Sequence, residues 1–130
     1  FALILATRRR VVEGDRLVRQ GAWGASWAEG WIAEELSGST LGILGLGRIG
    51  SAVARRARGF ELEVVYAQRR RVETDLAEYR ELGTLLAEAD IVTVHVPLSP
   101  ETVGLAQRRE RLDGALHSRA RQRINAARAL

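Results

Sequence analysis

Three glycines, Gly45, Gly47 and Gly50 in the run Gly45-Leu46-Gly47-Arg48-Ile49-Gly50, are the residues of this chain whose spacing best suits chemistry. Their context gives the pattern its meaning. A short apolar stretch, Thr40 to Leu44, precedes them and predicts a strand. From Ile49 the apolar positions Ile49, Ala52, Val53, Ala57 and Phe60 step at three and four, which predicts one face of a helix ending near Gly59. In such a strand–turn–helix the first glycine permits a tight turn and the second lets the backbone approach a pyrophosphate. The third lets the helix pack closely on the strand. The N–H groups of Arg48 and Ile49 then face an anion at the positive end of the helix dipole. The implied chemistry is the holding of NAD(H) or NADP(H). A glycine-rich turn without a ligand is the plainer reading, and the flanking strand and helix weigh against it.

The end of the next strand bears on which cofactor. NAD sites place an Asp or Glu roughly 20 residues past the start of the motif to bind the ribose 2′-OH, whereas NADP sites replace it and add an arginine. Here a second strand, Leu62 to Tyr66, runs into Ala67-Gln68, eighteen residues beyond Gly50, with no carboxylate. Gln68 can hydrogen-bond a hydroxyl or a phosphate, and Arg69 and Arg70 can fork onto a 2′-phosphate. NADP(H) is therefore the expected preference, with NAD(H) as the alternative. A solvated loop is the plainer reading of Arg69-Arg70-Arg71.

The elements that must position these residues follow from periodicity. Leu3 to Arg19 predicts an opening helix within residues 1–20, with Ile4, Val11, Val12 and Val18 near helical spacing and Gly21 as its stop. Residues 21–39 form an arm bearing Trp23, Trp27 and Trp31, which either packs on its own domain or makes a subunit contact. Within 40–105, Tyr79 to Leu82 predicts a third strand, Leu85 to Ala89 a helix, and Ile91 to His95 a fourth strand ended by Pro97. Alternating strands and helices imply an α/β fold, a Rossmann-type doubly wound parallel sheet spanning residues 1–105 with its arm and opening helix.

Composition bounds the function. With 130 residues and 46% hydrophobic content, the chain suits one globular domain. The sequence pI near 10.8 suggests nucleic acid, but the charge is local. Residues 1–105 carry 13 arginines against 14 acidic residues, whereas 106–130 carry 7 against 2. The domain itself is not a basic surface, so no nucleic-acid partner is expected. There is no cysteine and no metal-ligand set, and Phe1 to Ala6 is far short of the roughly 20 apolar residues of a membrane span. Without an export signal, a cytoplasmic protein is expected. Methionine is absent even from position 1, so the chain reads as a fragment.

These stretches together, LSGSTLGILGLGRIGSAVARRARGF (36–60), VVYAQRRR (64–71), AEADIVTVHVPLSPET (87–102) and INAAR (124–128), resemble the D-isomer-specific 2-hydroxyacid dehydrogenases, the glyoxylate/hydroxypyruvate reductase branch in particular. The resemblance runs from Phe1 to about Leu105. It implies NAD(P)-dependent reduction of a 2-keto acid to a D-2-hydroxy acid, and a homodimer built through this domain. It also implies that His95, Val96 and Pro97 border the adenosine side of the cofactor, with Thr102 in the turn that follows. The family binds the substrate carboxylate with an arginine in an Asn-x-x-Arg-Gly motif. Asn125 and Arg128 match it, while Ala129 stands where glycine is expected. The family's Glu and His-x-Gly-x-x-Thr do not occur in register, and His117 has no such context, so this chain alone is expected to be inactive. A non-catalytic dinucleotide-binding module, a redox sensor or partner-binding relative, is the alternative.

Between Leu105 and Ile124 the pattern fails, with Gln107-Arg108-Arg109-Glu110-Arg111 and alternating arginines where an apolar strand belongs. A shifted reading frame or a decayed gene is one expectation and a divergent basic helix the other. Arginine at every other position cannot enter a sheet buried on both faces, so the sheet is expected to stop after the His95 strand, leaving Arg128 short of the substrate.

Overall fold

The computed structural model describes residues 1–22, 24, 33–97, 99 and 102. The predicted contacts of Trp23, Trp27 and Trp31, the basic tail and Arg128 lie outside them. The chain divides into two compact units, Phe1–Ser37 and Gly38–Leu130.

In the first unit the predicted single helix is two, α1 (Ala2–Arg8) and α2 (Val11–Arg19). Arg10 between them adopts a left-handed conformation, φ 51°. The residues just before this break are tied to partners far along the chain. Arg8 pairs with the Glu34 carboxylate, and the Arg8 carbonyl accepts the Glu34 N–H at 3.1 Å. Arg9 reaches Glu35 at 3.3 Å. Helical periodicity cannot register partners 26 residues away. Val11, Val12 and Val18, whose spacing predicted the helix, are each more than half exposed.

The second unit is a four-stranded parallel sheet, β1 (Thr40–Leu44), β2 (Glu63–Ala67), β3 (Glu78–Tyr79) and β4 (Ile91–Val94), in the order β3-β2-β1-β4. Helix α3 (Arg48–Ala57) continues into a 3-10 turn, Arg58–Phe60, and α4 (Leu82–Glu88) precedes β4. The third strand, predicted over Tyr79 to Leu82, begins one residue earlier and is shorter, held by the pairing of Val65 with Glu78 and Tyr66 with Tyr79. Leu82 instead opens α4, three residues before the predicted start.

β1 is buried along four of its five residues, as a strand covered on both faces must be. On one face α4 presses so closely that a Cβ on Gly42 would come within 2.7 Å of Leu85 and 2.9 Å of Ala89. There Leu44, Val65, Ala67, Leu85 and Ala89 form a buried cluster. On the other face α3 buries Gly50, Ala54 and Ala57. Of the predicted apolar face, Ala57 is buried whereas Ile49 is 66% exposed. The helix is too close to the sheet for a large residue, so its small residues face inward. At the start of the sheet, Asp90 Oδ2 accepts the Thr40 N–H and the Asp90 N–H donates to the Thr40 carbonyl, each at 2.9 Å, fixing β4 beside β1. Among the described residues no helix is long and apolar enough to cross a membrane.

Candidate functional site

The order β3-β2-β1-β4 places the second and third strands to one side of β1 and the fourth on its other side. The direction of winding therefore reverses between β1 and β4, and the crevice outside the strand ends at such a point is where open α/β sheets take ligands. The glycine motif occupies that position.

Each glycine has a distinct surrounding. Gly45 has φ 91°, and a Cβ there would lie 2.9 Å from the His95 carbonyl oxygen. Its N–H donates to the Ala67 carbonyl at 3.0 Å, extending the ladder to β2. Gly50 lies against the turn itself, since a Cβ would meet the Gly45 carbonyl oxygen at 2.2 Å. Gly47, the N-cap of α3, has no described atom within 4 Å of where a Cβ would be. Two glycines are thus hemmed in by the fold, and the middle one opens outward.

At the start of α3, Ser51 is the first residue whose N–H bonds within the helix, to the Gly47 carbonyl at 2.9 Å. The amides of Arg48, Ile49 and Gly50 have no intrahelical acceptor, and no side chain caps them. Oriented amides at the positive end of a ten-residue helix, beside an open glycine, form a cradle for an anion. The residues present therefore fit the pyrophosphate of a dinucleotide.

The fold brings Gln68 to this turn. Its Oε1 accepts the Leu46 N–H at 2.9 Å, and its Nε2 donates to the Arg70 carbonyl at 2.6 Å. Arg69 and Arg70 are exposed just beyond, whereas Arg71 lies over the Tyr79 ring at 5.6 Å. From the other side comes the segment after β4. The His95 N–H donates to the Leu44 carbonyl at 2.7 Å, and its Nε2 is 3.0 Å from Thr93 Oγ1. Val96 packs against the buried cluster, and Pro97 is exposed. Thr102 is near in sequence, but its hydroxyl is fully occupied. It donates to the Pro97 carbonyl at 2.7 Å and accepts the Ser99 N–H at 2.7 Å. Thr102 shapes the turn and has little capacity left for a ligand.

Three structural contributors were missed from sequence. Leu46 and Tyr66 act through groups that periodicity does not weigh, a backbone N–H and a hydroxyl. Asp90, the third, precedes the β-branched run Ile91 to Val94, and its place before a strand was the available signal.

A cavity of about 450 Å³ lies at the opposite end of the sheet, among Thr40, Glu63, Val65, Glu78, Arg80 and Glu88. Arg80 bridges Glu78 at 2.8 Å and Glu88 at 2.9 Å. Hydrogen bonding to Arg80 holds the Glu78 carboxyl below its ordinary value. The cavity's arginine is paired within the protein, and the cavity is far from the glycine turn. Among the described residues no cluster of side chains suits a metal ion.

Comparison with known proteins agrees with this geometry. The family profile described as D-isomer specific 2-hydroxyacid dehydrogenase, NAD binding domain, matches residues 1–129, extending into the tail beyond Leu105. A glyoxylate reductase of Pyrococcus horikoshii is 49% identical over 113 residues, covering 81% of this chain and 34% of that protein. The crystal structure of a protein from Thermus thermophilus aligns with a TM-score of 0.74 at 47% identity, over 81% of this chain and 33% of the other. Salmonella D-lactate dehydrogenase aligns with a TM-score of 0.70 at 30% identity, over 80% and 32% respectively. The chain spans about one third of the length of the relatives it matches.

Proposed function

This chain belongs to the NAD-binding domain family of the D-isomer specific 2-hydroxyacid dehydrogenases, and from that membership we propose that it is the cofactor half of a 2-keto acid reductase. The substrate is of the glyoxylate or hydroxypyruvate type, the product is the D-2-hydroxy acid, and NADP(H) is preferred to NAD(H). Similarity to a glyoxylate reductase supports the substrate class. The observation that carries the cofactor reading is the open face at Gly47 beside three helix-start amides.

When bound, the dinucleotide supplies the hydride. The protein's share is to hold and orient. The amides of Arg48, Ile49 and Gly50 hold the pyrophosphate, while Gly45 and Gly50 keep α3 close enough to β1 for those amides to converge. Arg69 and Arg70 pair with a 2′-phosphate at the end of β2, where an NAD site has a carboxylate. His95, Val96 and Pro97 border the adenosine side, with Thr102 as the brace of their turn. Arg128 is assigned to the substrate carboxylate, on its match to the family motif. Cytoplasmic residence and a homodimer through this domain belong to the same proposal.

Titration of NADPH and NADH by nucleotide fluorescence, on the wild type and on Gln68→Asp, tests the preference. The wild type is expected to bind NADPH more tightly, and Gln68→Asp to reverse the order by placing a carboxylate beside the 2′ position. Equal affinities in the wild type overturn the NADP(H) assignment.

A further inference from the structure

Gln68 joins two loops that are distant in sequence. Its Oε1 holds the Leu46 N–H inside the glycine turn, and its Nε2 holds the Arg70 carbonyl inside the arginine loop. The partners fix the orientation of the amide, because a backbone N–H demands the oxygen and a carbonyl demands the NH2. Leu46 is 6% exposed, so water does not readily replace that acceptor. The far end of the arginine loop is tied as well. Tyr66, 1% exposed, donates its hydroxyl to the Val72 carbonyl at 2.6 Å and accepts the Val72 N–H at 3.0 Å. Its ring meets Tyr79 edge-on at 5.5 Å, and Arg71 lies on that second ring. Residues 68–72 are therefore anchored at both ends before any ligand arrives.

We propose that Gln68 is a positioning residue that sets cofactor specificity by holding the arginine loop in register with the glycine turn, rather than by binding the dinucleotide itself. A ligand with two phosphate groups at a set separation is gripped best when the two loops that meet them are already fixed, because ordering them on binding lowers affinity. Gln68 ties the two loops by one hydrogen bond each. The specificity part rests on the NADP(H) reading above; the coupling of the loops does not.

The rival role is direct contact, for which Gln68 retains one lone pair and one N–H. Gln68→Met keeps the length of the side chain and removes both hydrogen bonds. In the cofactor-free chain, amide hydrogen exchange at Leu46 is expected to quicken about tenfold, the effect of one lost hydrogen bond. Exchange across 70–72 is expected to quicken with it. Tyr66→Phe is expected to quicken exchange at Val72 and leave Leu46 unchanged. NADPH affinity of Gln68→Met is expected to fall about tenfold and NADH affinity by less than about threefold. When Arg69 and Arg70 are both alanine, the same Gln68 change should no longer alter the NADPH-to-NADH ratio, because no grip remains to align.

Unchanged exchange at Leu46 in the free chain overturns the proposal, whatever the cofactor affinities. So does an effect on the cofactor ratio that persists in the double-alanine background, which makes Gln68 a direct ligand. Should the wild type show no NADPH advantage, the cofactor reading fails and the specificity role with it, and exchange at Leu46 and Val72 together still decides the coupling. Gln68→Asn, too short to span both partners, repeats the exchange test if the methionine variant does not fold.

Discussion

Replacing the middle and last glycines of the turn by alanine separates a ligand site from a packing site. At Gly50 a Cβ would stand 2.2 Å from the Gly45 carbonyl oxygen and 3.2 Å from Ile43 Cγ2. An ordinary carbon–oxygen contact is about 1 Å longer, and the obstacle is backbone, so α3 or the turn must move. Overpacking of this kind costs about 1–3 kcal/mol. Gly47 differs on both counts. Its backbone, φ −81° and ψ −160°, is extended and open to alanine, and the Cβ enters space with no described atom within 4 Å. Alanine is a poorer N-cap than glycine by under about 1 kcal/mol, and the narrower unfolded ensemble offsets roughly as much. Gly47→Ala should therefore unfold in urea within about 0.5 kcal/mol of the wild type, while Gly50→Ala loses about 1–3 kcal/mol. Titrated with NADPH, Gly47→Ala should nonetheless bind at least about tenfold more weakly, because the methyl occupies the path to the pyrophosphate. Wild-type affinity in Gly47→Ala refutes the reasoning, as does a stability loss equal to that of Gly50→Ala.

Two further outcomes follow from contacts away from the turn. Asp90→Ala removes the acceptor of the Thr40 N–H and should lower urea stability by about 1–2 kcal/mol, with NADPH affinity of the folded fraction unchanged. Hydrogen bonding to Arg58 holds the Asp75 carboxyl below its ordinary value of 3.8. A carboxylate depressed in the folded state stabilises above its unfolded pKa and loses that contribution as pH falls through the folded one. Thermal unfolding should thus show Arg58→Met below the wild type at pH 7, with the gap closing as pH falls below 3.8.

What could be read from sequence was whatever depends on neighbours along the chain. β1 falls at its predicted residues, Thr40 to Leu44, because a central parallel strand is a continuous apolar run. The tight turn at Gly45 and the close packing at Gly50 were legible for the same local reason. Of the apolar face predicted for α3, Ala57 is buried and Ile49 is exposed, because close packing on β1 selects the small residues Gly50, Ala54 and Ala57. The break at Arg10 follows two arginines paired with the distant Glu34 and Glu35, and the length of β3 matches its pairing with β2. Gln68 shows the division most clearly. The missing carboxylate at the end of β2 could be read from residue order, but the side chain's partner, Leu46, is 22 residues away and is brought near only by the parallel pairing of β1 with β2.

If the glycine turn holds a nicotinamide dinucleotide, the backbone amide chemical shifts of the chain, followed by NMR as NADPH is added, will report it at that turn. The largest changes are expected at Gly45 to Ser51, with a second group at Gln68 to Arg70 that is weaker when NADH is used. Changes centred on the Arg80 cavity, or none at millimolar NADPH, contradict it.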